Sequence, residues 1–296
     1  MSSEWYLKIL DTPAEMEAVE DLQRQVWPGS ETDVVPLHLL VTAAHNGGLV
    51  IGAYLPGAGG PDRLVGFVFG FAGMYFTPDG PRPKHCSHML GVHPQQRDQG
   101  LGFALKRAQW QMVRQQGLDR ITWTYDPLLS RNAYLNIAKL GAVCNTYRRE
   151  VYGEMRDGLN QGLASDRFEV DWWVNSGRVE RRLSKKARLR LDLAHFLAAG
   201  AEIINASTEN GQDRPTPGSL PVIPTRENAP LLLVEIPADF TRLKAADRDL
   251  AQGWREHTRA LFESLFVSGF LVTDFVFLPG THSRSYYVLS HGDSTF

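Results

Sequence analysis

Residues 88–117 have the sequence HMLGVHPQQRDQGLGFALKRAQWQMVRQQG, and this stretch decides the fold. An apolar segment typical of a strand ends at Pro94, and a polar turn then leads into a helical pattern that ends at Gly117. Gly100 and Gly102 lie in the first turn of that helix, although glycine inside a helix costs about 1 kcal/mol relative to alanine. The first turn of a helix exposes unpaired N–H groups, and glycine lets a phosphate approach them closely. We therefore interpret the stretch as a pyrophosphate site.

The composition of the chain is typical of a globular protein. It has 296 residues, 43% of them apolar and 22% charged, and a formal net charge of −2. Such a balance gives no overall field that attracts nucleic acid or an anionic membrane, so we expect neither partner. The first residues lack a secretion signal and no long apolar run follows, so we expect a cytoplasmic protein. Cys86 and Cys144 lack metal-ligand spacing, so we expect no metal.

Strand and helix signals alternate in the first half of the chain. Up to about residue 153 they predict a strand, two helices, three or four strands, the helix after the glycines, then a strand, a short helix and a strand. Thr12 is the expected N-cap of the first helix, followed by Pro13. The order indicates a mixed α/β sheet.

Two motifs resemble the GNAT N-acetyltransferase superfamily. The segment LGVHPQQRDQGLGFAL (90–105) resembles its acyl-CoA-binding signature, a strand ending in V-x-P followed by [QR]-x-x-G-x-[GA], and Arg97, Gly100 and Gly102 occupy the signature positions. The segment SRNAYLNIAKLGA (130–142) resembles the second conserved helix of the family, N-x-x-A-x-x-L-Y-x-K-x-G-F. The residues that match this family pattern are Ala133, Lys139 and Gly141.

Other phosphate-binding motifs fit this stretch less well. A dinucleotide-binding G-x-G-x-x-G motif needs a third glycine at the position of Leu105, and a Walker A loop needs Gly-Lys-Ser/Thr, which is absent. The GNAT resemblance implies a mixed, mostly antiparallel sheet flanked by helices, with a smaller C-terminal α/β extension. We expect a GNAT-like domain over residues 1–175 and an extension over residues 176–296.

The resemblance also implies where coenzyme A lies. Its pyrophosphate would bind the backbone N–H groups of about Gln99 to Phe103, and its pantetheine would run along Leu90 to Val92, in a splay between that strand and the strand of Trp123. The residues expected to hold acyl-CoA are Leu90, Val92, Arg97, Gln99, Gly100, Leu101, Gly102 and Phe103.

His88 is our candidate for the general base. Attack of an amine on a thioester needs a proton acceptor, which in many family members is a glutamate on the strand before the signature, yet the six residues before Val92 include no acid. Strict alternation puts His88 on the same face as Val92, and an ordinary histidine pKa of about 6.5 suits a base. A buried structural histidine is the other interpretation, and Cys86 on that face leaves a covalent acyl-enzyme open.

The acid for the leaving thiolate is less clear from the sequence. The tyrosine that the family places four residues before the helix-ending glycine corresponds to Ile137. Tyr125 and Tyr134 are therefore the catalytic candidates, unless the thiolate leaves without a dedicated acid. We place Tyr125 and Asp126 in the wall of the pocket.

The segment YGEMRDGLNQGLASDRFEVDWW (152–173), with Arg156 and Asn160, is either a connection or a lid over the acceptor. A buried Arg167 would suit a carboxylate, and so an amino-acid acceptor or a succinyl group. The pattern resembles a bacterial GNAT subgroup with a C-terminal extension, some of whose relatives accompany amino-acid racemases as N-acyltransferases. This resemblance implies an amino-acid acceptor.

The tail after residue 176 has two interpretations. Its final β-α-β-β pattern indicates half of a second sheet, which either completes the pocket or makes a homodimer contact. Trp254, Phe262 and Phe266 recur at helical spacing and indicate core. A run of six Lys and Arg within residues 181–190 indicates a solvated helix face or a contact with ligand phosphates.

These observations favour an acyl-CoA-dependent N-acyltransferase that moves an acetyl or succinyl group to the primary amine of a small molecule by direct attack. A protein lysine acceptor fits less well, since it needs an open groove. The alternative is a non-catalytic acyl-CoA-binding module or sensor, which the missing glutamate and tyrosine would support.

Overall fold

A computed structural model describes residues 5–29, 31–57, 59–153, 163–184, 191–210, 214–224 and 231–292. The described chain forms two compact units. The first contains the residues up to Trp123 together with Trp173–Asn175, and the second contains the remainder from Thr124 onward. The boundary at residue 175 does not coincide with this division, and it stays a prediction about domains.

The first unit contains helices on both faces of a sheet. Its elements are β1 (Tyr6–Ile9), α1 (Pro13–Val26), α2 (Leu37–His45), β2 (Leu49–Leu55), β3 (Arg63–Thr77), β4 (Gly80–Val92), α3 (Leu101–Gln115) and the first part of β5 (Arg120–Tyr125). The strands β1 to β4 are antiparallel neighbours in chain order, and β4 pairs in parallel with β5. This order confirms the elements predicted from the sequence.

Helix α1 begins where the sequence predicts. The Thr12 hydroxyl accepts a hydrogen bond from the Glu15 backbone N–H, and the Glu15 carboxylate accepts one from the Thr12 backbone N–H, 3.1 Å away. This reciprocal capping box satisfies two N–H groups that a helix start leaves unpaired, and Pro13 has none to satisfy.

The two faces of the first sheet are covered by different helices. On one face Met16, Val19 and Leu22 of α1 pack with Phe67 and Phe69 of β3. The other face packs against α3, in a cluster that contains Val65, Val68, Leu90, Val92, Leu101 and Leu105. Side chains of β4 can therefore be assigned to the α1 face or to the α3 face.

The second unit begins within β5 and contains the remaining elements. They are α4 (Ser130–Ala133), a π-helical turn (Tyr134–Lys139), β6 (Val143–Arg148), β7 (Arg167–Trp173), α5 (Gly177–Leu183), α6 (Leu193–Ala198), β8 (Glu202–Ile203), β9 (Thr208–Asn210), β10 (Arg214–Thr216), β11 (Leu231–Ile236), α7 (Phe240–Ala246), α8 (Arg248–Val267), β12 (Phe270–Leu278) and β13 (Arg284–His291). The strand order is β7-β6-β12-β13-β11-β8, and among the described residues of this order only β11 and β8 pair in parallel. A mixed, mostly antiparallel sheet flanked by helices is the predicted fold class, which is confirmed.

The tail joins an existing sheet. Strand β12 pairs with β6 through Val272 and Cys144, and β13 and β11 continue from it. The prediction of a second sheet is therefore wrong, because the edge of β6 accepts the new strand. The predicted core positions Trp254 and Phe262 are fully buried, which confirms them. Among the described residues, no helix is long and apolar enough to cross a membrane.

Gly70 of β3 provides a test of packing in the first unit. A Cβ atom there would overlap His85 Nε2 and lie 2.7 Å from the backbone oxygen of Cys86. We expect Gly70→Ala to lower the free energy of unfolding by about 1–3 kcal/mol, because the neighbours must shift. Urea denaturation measures this change. The matched control is Gly60→Ala, where an added Cβ meets no atom within 4 Å; an equal loss in both variants would contradict the expectation.

Candidate functional site

A β-bulge interrupts the pairing of β3 with β4. Phe69 pairs with Met89 and the next residue, Gly70, pairs with Ser87, so His88 is the extra residue of β4. A bulge breaks the alternation of side chains and changes the direction of the strand.

The bulge changes which residues of β4 share a face. His85 and Ser87 face α3, where they contact Gln109, and Leu90 and Val92 also pack against α3. His88 instead contacts the rings of Phe69 and Phe71, with ring centroids 5.9 Å apart in each case. The prediction that His88 shares the face of Val92 is therefore wrong, because it assumed uninterrupted alternation.

Strands β4 and β5 pair over a short length. Within the described residues, their parallel pairing consists of His85 with Ile121 and Cys86 with Thr122. The rest of β4, from Ser87 to Val92, therefore has a backbone edge on the β5 side that β5 does not pair with. Such an edge can bind an extended ligand through main-chain hydrogen bonds.

The turn after β4 presents the start of α3. Gly100 is the N-cap with φ +85° and ψ −1°, a left-handed conformation that glycine adopts without strain. No side chain of the described residues caps this helix, and a Cβ atom built on Gly100 would meet nothing within 4 Å. The first N–H groups of α3, on Leu101, Gly102 and Phe103, thus have no side-chain cap, and the space beside Gly100 is open. This arrangement suits an anion.

Arg97 adds a positive charge beside the same turn. Its Nε donates a hydrogen bond to the backbone oxygen of Val92, 3.3 Å away, and its side chain is half-buried. The bond ties the turn to the end of β4. The structure thus brings together the eight residues from Leu90 to Phe103 that the sequence predicts for acyl-CoA, and their binding role stays a prediction.

His88 has an environment that favours a neutral imidazole. His88 is exposed to solvent in part, yet the aromatic rings packed against it desolvate its imidazole and hold its pKa below the ordinary 6.5. A neutral imidazole at neutral pH can accept a proton. Its role as base stays a prediction.

Tyr125 lies in the aromatic core of the second unit. Its hydroxyl is 3.1 Å from the hydroxyl of Tyr287, its ring packs against Phe168, and burial raises its pKa well above 10. This position favours a packing role over a catalytic one. Tyr134 is half-buried and begins the π-helical turn, a geometry that is frequent at functional sites, so it stays a candidate for the acid.

Asp126 is bound by an arginine that sequence reasoning missed. Its two carboxylate oxygens accept hydrogen bonds from Nη1 and Nη2 of Arg255 in α8, at 2.9 and 2.5 Å. The Nη1 atom of Arg167 lies 3.9 Å from the same carboxylate, and all three side chains are buried. Arg255 lies 129 residues from Asp126, so no local pattern links them.

A second group that sequence reasoning missed lies between β4 and α3. Lys106, Ser87, Gln109 and His85 form a buried hydrogen-bonded cluster. The helical spacing was the available signal, because Lys106 lies seven residues before the buried Val113 and so on the inward side of α3.

Two predicted features lie partly or wholly outside the described residues. Arg156 and Asn160 of the predicted lid are among the residues not described, as are Lys185, Lys186, Arg188 and Arg190 of the basic run. Of that run, Arg182 lies in α5 and donates to the carboxylate of Asp274, with Nη2 2.7 Å from Oδ2.

No family model and no curated protein matches the sequence. The solved structures that it resembles are GNAT acetyltransferases of several kinds. A GNAT-family acetyltransferase from Desulfovibrio desulfuricans is 14% identical, with 58% of this chain and 99% of that chain covered and a TM-score of 0.42. NAA60 of Arabidopsis thaliana in complex with acetyl-CoA is 13% identical (57% and 99% covered, TM-score 0.46). The ribosomal-protein-S18-alanine N-acetyltransferase from Escherichia coli is 13% identical (63% and 100% covered, TM-score 0.40). At values this low, the likeness transfers no activity to this chain.

The buried pair of Asp126 and Arg255 generates a stability prediction. Arg255→Met should lower the free energy of unfolding by about 3–5 kcal/mol, because it leaves a buried carboxylate without its main partner. The control is Arg149→Met, since the pair of Arg149 with Glu263 is largely exposed and should contribute at most about 1 kcal/mol. Urea denaturation measures both, and losses of similar size would contradict the assignment.

Proposed function

We propose that this chain is a GNAT-type, acyl-CoA-dependent N-acyltransferase that transfers an acetyl or succinyl group to the primary amine of a small molecule. The observation that carries the proposal is the uncapped start of α3, which opens at Gly100 directly after a bulged strand with a free backbone edge. Both features lie within one stretch that resembles the acyl-CoA signature of the family.

The first unit would bind acyl-CoA. The N–H groups of Leu101, Gly102 and Phe103 would hold the pyrophosphate, with Arg97 as a nearby positive charge, and the edge of Leu90 to Val92 would hold the pantetheine. Acyl-CoA supplies an activated thioester when it binds. The chain orients it between β4 and β5 and provides the proton acceptor.

His88 would take the proton of the attacking amine. An alkyl ammonium has a pKa near 10.4, so at neutral pH a base must deprotonate it. The bulge places His88 on the face opposite α3, against Phe69 and Phe71, where burial favours its neutral form. This environment supports the base in a strand that lacks a carboxylate.

Arg167 is our proposed contact to a carboxylate of the substrate. Arg167 stays our proposed contact for an amino-acid acceptor or for a succinyl group, since its guanidinium group is buried and guanidinium groups bind carboxylates through paired hydrogen bonds. Asp126 would orient both arginines. The cytoplasmic location, the absence of a metal and a homodimer stay predictions.

The deciding experiment is acyl transfer by the purified protein. The protein is incubated with acetyl-CoA or, separately, with succinyl-CoA and a pool of L- and D-amino acids and polyamines, and the products are identified by mass spectrometry. A product mass identifies donor and acceptor together. If coenzyme A binds and no product forms, the non-catalytic sensor replaces the enzyme.

The phosphate cradle generates a binding prediction. Gly102→Glu should raise the Kd for coenzyme A about thirtyfold or more, because a carboxylate at the start of α3 repels the pyrophosphate. Gly102→Gln is the matched control, since it adds the same volume without charge and should bind more tightly than Gly102→Glu. Calorimetry measures both. Equal and unchanged affinities would place the pyrophosphate elsewhere.

The role of His88 generates a pH prediction. The base works when neutral, so activity is lost as the pH falls through its pKa, which lies below 6.5. His88→Ala should lower kcat/KM at pH 7 about a hundredfold and remove this acid limb. His38→Ala, an exposed histidine, is the control. A pH–rate profile of His88→Ala that matches the wild type would exclude His88.

A further inference from the structure

The buried cluster between β4 and α3 is built around one amine. Lys106 Nζ donates to Ser87 Oγ at 3.0 Å and to Gln109 Oε1 at 2.9 Å, and Ser87 Oγ also donates to Gln109 Oε1 at 3.0 Å. The Gln109 amide nitrogen lies 3.0 Å from His85 Nε2. Lys106 is 2% exposed and His85 and Gln109 are fully buried.

Lys106 contacts both strands where their pairing stops. The last described pair of β4 with β5 is Cys86 with Thr122, so the next residues in register are Ser87 and Trp123. The amine of Lys106 is bonded to Ser87 and lies 3.6 Å from the ring centroid of Trp123. The side chain of Lys106 therefore contacts both strands at the point where their pairing ends.

Burying these polar side chains costs free energy, which argues against a role for Lys106 in packing alone. Burial lowers the pKa of Lys106 well below its ordinary value, and burial together with Lys106 lowers that of His85 to about 3. An apolar residue of similar length would fill the space without this cost. The neighbouring β3 also has a glycine, Gly70, where any side chain would overlap His85. Two strands and a helix are thus adapted to the cluster.

We propose that Lys106 is a positioning residue that sets the separation of β4 and β5, and thereby the fit of acyl-CoA between them. The inference rests on the proposed function. Lys106 links Ser87, the residue before the bulge, to Trp123 of β5. The distance between the two strands is thus set at Ser87, where the unpaired edge of β4 begins. Without the amine, the strands are free to change their separation beyond Cys86.

The test is Lys106→Met in the full-length protein, which keeps the length of the side chain and removes the donors. We expect a KM for acyl-CoA and a Kd for coenzyme A that rise about tenfold or more, because small displacements of a bound substrate are costly. The KM for the acceptor should stay unchanged, and Tm should stay equal or rise. Gln111→Met, an exposed residue of the same helix, is the matched control and should leave all four values unchanged.

Ser87→Ala is the second variant: it removes the bonds of Ser87 to Lys106 and to Gln109 but keeps the amine beside Trp123, so it should raise the Kd for coenzyme A by a smaller factor. If wild type and Lys106→Met bind coenzyme A equally, Lys106 has no positioning role. A fall in Tm with an unchanged Kd also overturns the proposal, because it shows that Lys106 contributes only to packing. If the wild type fails to bind coenzyme A, the proposed function fails first, so the two failures are distinguishable.

Discussion

One extra residue in β4 is the constraint on which the first unit depends. Without the bulge at His88, strict alternation would place His88, Leu90 and Val92 on one face of the strand, opposite His85 and Ser87. The apolar cluster under α3 and the aromatic environment of His88 therefore exist together only because the alternation is broken once. The bulge thus separates the side of the strand that positions the helix from the side proposed to carry the base.

The position of α3 relative to β4 is fixed at two levels. Near its start, Leu101 and Leu105 pack with Leu90 and Val92, and one turn further Lys106 and Gln109 are bonded to the residues before the bulge. Apolar packing is tolerant of small shifts, whereas hydrogen bonds specify geometry. The polar cluster therefore fixes the register of the helix, and with it the place of the N–H groups proposed to hold the pyrophosphate.

The sequence predicted the features that depend on local chemistry. Gly100 at the start of α3, Pro94 after the strand and the Thr12 cap are each determined by a few neighbouring residues, and all are found where predicted. The bulge was not predictable, because alternation shows no mark of one inserted residue. Relative to His85 and Ser87, the faces of β4 were therefore assigned wrongly beyond His88. The pair of Asp126 with Arg255 was missed because a long chain separation leaves no periodic signal.

The C-terminal tail supplies the arginine partners of two buried carboxylates that precede it in the chain. Asp126 and Asp166 are buried, and their strongest partners, Arg255 and Arg259, both lie on α8. A buried carboxylate without its partner is strongly destabilising, so a chain that ended before α8 would retain two such groups. Helix α8 is therefore a structural part of the unit that contains Asp126 and Asp166. Whatever Arg167 binds, its carboxylate neighbour is held in place by the last third of the sequence.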